Sequence, residues 1–121
     1  MTQPRRADTV TLLVNLAAPL RELVRILDTY PPDPASSDEM VTLRGSAAES
    51  LLARFIRGEI GVGTVMEWAK LLEGRTDVTY EPSAAPVLSR LIFRLANEDI
   101  HPPLTEEEAQ TWIEKLRSQR T

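Results

Sequence analysis

The sequence predicts an all-α fold, a compact bundle of about five helices with a long proline-rich connection after the first. Three observations carry this. Apolar residues return every three or four positions along successive stretches, the spacing that puts them on one face of a helix. Capping residues, glycines and prolines bracket those stretches, as at Ser46 with Glu49, Gly58, Gly74 and Thr105 with Glu108. No two β-branched runs are joined by a hairpin turn.

The first helix spans residues 8–29. Asp8 or Thr9 can cap it, and Leu13, Leu16, Leu20, Leu23 and Leu27 form one leucine seam. Pro19 lacks an N–H and must kink this helix or start a new one. The β-branched Val10, Thr11 and Val14 would also suit a strand over Thr9 to Leu16, but no second strand is evident to pair with it. Val10, Leu12, Val14, Val24 and Ile26 widen the apolar surface beyond the seam. Such a helix is either packed on several sides or used for self-association through the five leucines.

Tyr30-Pro31-Pro32-Asp33-Pro34 ends that helix, and residues 31–45 form a linker, with a helical turn near Ser37 to Leu43 tucking Met40 and Leu43 inward. In a dimer this linker is the hinge for exchanging the first helix. The helical core follows over residues 46–117. Ser46 and Glu49 have the spacing of a capping box, and Leu51, Leu52, Phe55 and Ile56 form a buried stripe. Gly58 supplies the left-handed end. After the turn Gly58 to Gly63 comes a helix with Val65, Trp68, Ala69 and Leu72 inward, closed by Gly74. Residues 75–82 read as a loop. Ser83 caps the next helix, with Pro86 in its first turn; Leu88, Leu91, Ile92 and Leu95 face inward, and Arg90 and Arg94 share the opposite side. Asn97 terminates it. A proline-rich stretch then leads to Thr105, which caps a last helix packed by Trp112, Ile113 and Leu116.

Composition narrows the function. With 121 residues, 42% apolar and 26% charged, the chain reads as one soluble domain, residues 1–121. It has no cysteine and one histidine, His101, so the inventory offers no thiolate nucleophile and no zinc site of several imidazoles. Arg5 and Arg6 ahead of the apolar run Val10 to Ala18 have the look of a signal peptide, but Asn15 interrupts the run and Pro19 and Arg21 follow. The run is too short for a membrane span, and the expected location is cytoplasmic. The net charge is −4, its excess all within residues 59–121, which argues against nucleic acid and permits a basic protein partner.

Each chemistry-bearing cluster has a plainer account. Glu106, Glu107 and Glu108 resemble a metal or acid–base group, yet consecutive helical residues diverge and a first turn favours acids. His101 has no nucleophile or orienting acid near it in sequence. Gly58, Gly61 and Gly63 lack the lysine and hydroxyl of a phosphate loop. The central helix pair could be a helix-turn-helix, but its reading face would present Thr64, Glu67, Lys70 and Glu73, which phosphates repel. Arg54 with Arg57, and Arg90 with Arg94, are placed to pair with nearby acids. Trp68 and Trp112 fall in apolar stripes and belong to the core; an exposed one would be an interface anchor. No catalytic, cofactor or metal residue is expected.

The run Ala53-Arg54-Phe55-Ile56-Arg57-Gly58-Glu59-Ile60, followed by Glu67-Trp68-Ala69, resembles a segment of small helical bacterial proteins. Leu91-Ile92-Phe93-Arg94-Leu95-Ala96-Asn97 with Pro103-Leu104-Thr105 is similar to their second half. Some of these resemble immunity proteins of the colicin D and contact-dependent-inhibition type, which neutralise a nuclease toxin by covering it; others have no assigned role. The resemblance spans residues 46–117 and carries no site residue with it; Gly61-Val62-Gly63 departs from the expected start of the second helix. The lack of a catalytic set and the acid-rich stretch 98–108 point to a small, acidic, non-enzymatic interaction protein, of which a toxin-neutralising one is the form that the resemblance implies. The contact candidates, chosen for charge, are Glu98, Asp99, Glu106, Glu107 and Glu108. The alternative is a homo-oligomeric structural or regulatory subunit that associates through the leucine seam.

Overall fold

The computed structural model describes residues 6–28, 40–73, 75, 78–97, 100 and 102–119. Six helices and two short strands follow one another: α1 (Arg6–Asn15), α2 (Leu20–Leu27), β1 (Val41–Leu43), α3 (Gly45–Ile56), α4 (Val62–Glu73), β2 (Val78–Tyr80), α5 (Ala85–Ala96) and α6 (Glu106–Ser118). The fold is mostly helical. The expected linker residues 31–39, Gly74 and His101 lie outside the described residues.

The expected first helix is two helices, the second of the two outcomes that Pro19 allows. α1 closes with the hydrogen-bond pair of a Schellman motif: Ala17 N donates to Leu12 O at 2.9 Å, and Leu16 N to Leu13 O at 3.0 Å. Leu16 takes the left-handed position with φ of 46°, and Pro19 is the N-cap of α2. α3 ends the same way, Glu59 N to Arg54 O at 2.9 Å and Gly58 N to Phe55 O at 3.0 Å. There the left-handed residue is Gly58, φ 78°, as its lack of a β-carbon favours. A leucine in that position costs about 1–2 kcal/mol of backbone strain. Burial of the Leu16 side chain, only 4% exposed, offsets it.

The departure from expectation is a parallel two-stranded sheet, with Val41 opposite Val78, Thr42 opposite Thr79 and Leu43 opposite Tyr80. Val41–Leu43 is a strand where the end of a helical turn from Ser37 was expected, and Val78–Tyr80 is a strand within the loop expected over residues 75–82; residues 37–39 lie outside the described residues. Leu43 is buried as expected, but Met40 is 51% exposed. Both strands alternate apolar-Thr-apolar, so Thr42 and Thr79 face outward while Val41 and Leu43 are buried. Glu81 then locks the strand ends to α3. Its N–H donates to Leu43 O at 2.9 Å, and its Oε1 accepts from Gly45 N at 3.0 Å.

That bond corrects the capping box. α3 starts one residue ahead of Ser46, with Arg44 as N-cap and no capping side chain of its own. The free N–H at its start is met by Glu81, from 36 residues away. Glu49 is instead buried and receives Arg117 Nε of α6 at 3.2 Å. Likewise Ala84, not Ser83, is the N-cap of α5.

α3 packs on α6 and α4 on α5, while α1 touches α2, β1 and α3. The predicted stripes are where the core is: Leu51, Leu52, Val65, Ala69, Leu72, Leu88, Leu91, Ile92, Leu95, Ile113 and Leu116 are all buried, with Phe55 and Ile56 half-buried against them. Trp68 is fully buried, and its indole N–H donates to Leu13 O at 2.9 Å. This pays the polar cost of burying the indole and ties α4 to α1. The α1 helix is therefore packed on several sides by its own chain.

Candidate functional site

Of the acid-rich stretch 98–108, Glu106, Glu107 and Glu108 form the first turn of α6. Thr105 caps it as expected, its Oγ1 accepting from Glu108 N at 3.1 Å. Glu106 and Glu107 are exposed, beside the positive end of the helix that favours them. Glu98 and Asp99 lie outside the described residues.

Glu108 is committed elsewhere. Arg94 of α5 grips its carboxylate at two points, Nε to Oε2 and Nη2 to Oε1, each at 2.8 Å. The Nη2 of Arg94 also donates to Pro102 O at 2.6 Å, and Trp112 Nε1 donates to Glu108 Oε2 at 3.0 Å. Arg94 is therefore not on the exposed side with Arg90: it is buried, and its Nη1 has no hydrogen-bond acceptor. Planar, two-point pairing of this kind holds a connection in register. Here it clamps the chain between α5 and α6. Trp112 is half-buried, and Lys115 Nζ stands over its ring, 4.8 Å from the ring centre.

Two residues that sequence reasoning passed over are exposed at this end. Phe93 is 52% exposed and Ile100 66%. Phe93 lies in the last turn of α5, where the Asn97 amide returns to its carbonyl at 2.8 Å. Ile100 lies in the following turn, its N–H on Asn97 O at 3.2 Å. Asn97 also donates to Glu73 Oε2 at 3.2 Å, bringing another exposed acid to the same helix end. The signal for Phe93 was present: it falls on the far side of α5 from the Leu88, Leu91, Ile92 and Leu95 stripe, where a polar residue is expected.

The other candidates resolve as follows. Of the leucine seam, Leu13, Leu16 and Leu23 are buried within the chain, and Leu20 and Leu27 are half-buried. Arg57 pairs with Glu59, and Arg54 donates to Leu16 O at 2.8 Å. On α4, Glu67, Lys70 and Glu73 are exposed and Thr64 half-buried. Burial, and secondarily the negative charge of Glu73, raise the Tyr80 phenol above its ordinary 10.0. No three His, Asp or Glu among the described residues stand together as a metal site. No helix among them is long and apolar enough to cross a membrane.

Compared with known proteins, the chain matches no family model, no curated protein and no solved structure.

Proposed function

We propose that this chain acts by binding another protein through the end of the molecule built from the last turn of α5, the turn after it and the first turn of α6. The observation that carries this reading is the exposure of Phe93 and Ile100, 52% and 66%, at a helix end that also presents Glu73. Large apolar side chains left in water beside a charged rim are the usual anchors of an interface. Glu106 and Glu107 start the next helix and add negative charge, which speeds and selects encounter with a basic partner. The protein then performs no chemistry of its own. A toxin-neutralising role, as the immunity proteins have, is the specific form of this reading that the sequence resemblance favours.

The test is quantitative capture from the native host on three baits: the wild-type chain, Phe93→Asp and the double variant Glu106→Lys/Glu107→Lys. All three are first shown to be folded by far-UV circular dichroism. A specific partner held by the wild type is expected to be lost from Phe93→Asp and weakened, more so at low salt, on the charge-reversed bait. A partner held equally by all three refutes the assignment of this surface.

A further inference from the structure

A concavity lies at the break between α1 and α2, among residues that take no part in the α5–α6 surface. Leu16, Ala17, Ala18 and Pro19, with Arg54 of α3 and Ile60 beyond it, line an open pocket of about 280 Å³. That is just below the range of drug-sized ligand pockets, which starts near roughly 300 Å³, and suits a smaller molecule. Every lining side chain is apolar except one.

The exception is Arg54. Its Nη1 donates to Leu16 O at 2.8 Å, so the strained left-handed turn at Leu16 and the arginine hold each other in place. A guanidinium carries five N–H donors, and among the described residues no carboxylate pairs with this one. By contrast Arg57, Arg94 and Arg117 each hold a carboxylate. Arg54 is thus a half-buried cation that makes no ion pair among the described residues, in a chain of net charge −4.

We propose that this pocket binds a small aliphatic carboxylate. The acid takes the donors of Arg54 not used by Leu16, in the two-point geometry that suits a guanidinium. The aliphatic body lies on Ala17, Ala18, Pro19 and Ile60. An aliphatic amine of the same length would meet the arginine with like charge, and an alcohol would give it no charge to pair with. The same chemistry occurs in a free short-chain acid and in the C-terminal leucine of a peptide.

The experiment is a titration of the ¹⁵N-labelled full chain followed by amide shifts, with four probes: hexanoate, N-acetyl-leucine, hexanol and hexylammonium. Hexanoate or N-acetyl-leucine is expected to saturate with a dissociation constant of order 1 mM, moving the amides of Leu16, Ala17, Ala18 and Ile60. Whichever of the two binds tighter identifies the source as a free acid or a chain terminus. Arg54→Met is expected to weaken the tighter acid by about tenfold or more without changing the response to hexanol. Because Arg54 also supports the Leu16 turn, Ala17→Leu serves as a second variant. It narrows the pocket from an exposed position, leaves the arginine bond intact and is expected to weaken the same acid by about fivefold. The proposal is overturned if neither acid gives a saturable shift up to about 20 mM, if hexylammonium moves the same amides equally, or if Ala17→Leu leaves the affinity unchanged.

Discussion

Removing the charge of Glu108 should cost more than removing that of Arg94, although the two form one ion pair. The Arg94 side chain is 10% exposed and that of Glu108 is 31%. Glu108→Gln leaves a guanidinium buried opposite a neutral amide, with Nη1 already lacking an acceptor. Loss of one partner from a fully buried pair costs about 3–5 kcal/mol. Since nearly a third of the Glu108 side chain is exposed to screening water, the expected loss is about 2–3 kcal/mol. Arg94→Met removes the buried charge and keeps most of the side-chain volume, while the Glu108 carboxylate can turn to water and still accept from Trp112. The expected loss is about 1–2 kcal/mol. In the double variant Arg94→Met/Glu108→Gln no charge is stranded, so it should be more stable than the sum of the single losses implies, by about 1 kcal/mol. Urea unfolding followed by tryptophan fluorescence measures all three as midpoint shifts at constant slope. A Glu108→Gln loss under about 0.5 kcal/mol, or an Arg94→Met loss exceeding it, would refute the premise that the arginine is the buried member.

The two Schellman ends give a matched pair of backbone predictions. Gly58→Ala puts a β-carbon at a φ of 78° where no neighbour lies within 4 Å, so it should cost about 1 kcal/mol from backbone strain alone. Leu16→Gly relieves a similar strain but empties a buried position, so about 1–3 kcal/mol of net destabilisation is expected by the same urea assay. Trp68→Phe removes the indole N–H from Leu13 O and leaves a cavity; about 2–3 kcal/mol should be lost, and the blue-shifted part of the emission should vanish with it. For Tyr80 the folded phenol ionises above 10.0. The unfolded chain therefore releases that proton first as pH rises, and the contribution of Tyr80, present in full below pH 10.0, declines above it and is gone once the folded phenol has ionised. Absorbance titration of a Tyr30→Phe variant should show the late ionisation, and Tyr80→Phe should flatten the alkaline fall in stability.

What was legible in the sequence was whatever depends on near neighbours. The stripes on α3, α4 and α5, the left-handed Gly58 and the Thr105 cap all follow from residues within a turn or two of each other, where periodicity and capping rules apply. Ser46 with Glu49 satisfied the same local rule and failed, because one distant acid and one distant base decided otherwise. Glu81 reached the α3 N-terminus from across the fold, and Glu49 was taken by Arg117, 68 residues away. The strands escaped for a related reason. Val41-Thr42-Leu43 and Val78-Thr79-Tyr80 share one alternating pattern, but three residues are too few for periodicity to register. A parallel pair also has no hairpin turn to announce it; here α3 and α4 intervene between the strands.

Charge reading failed in the same direction and bears most on function. Glu106, Glu107 and Glu108 look alike along the chain, yet only the third faces α5. On that helix Arg94 lies about 110° from the centre of the apolar stripe, at its border rather than opposite to it. Border positions are where a long side chain can fold inward if a partner waits there. That partner is supplied 14 residues on, beyond a proline-rich connection that the pair itself holds in place. An acid count over residues 98–108 therefore overstates the negative surface, and Glu108 drops out of the contact candidates as long as the pair stays closed. The same helix turn that points Arg94 inward points Phe93 outward. The proposed interface accordingly draws its affinity from Phe93 and Ile100, with the remaining acids setting which partners are met.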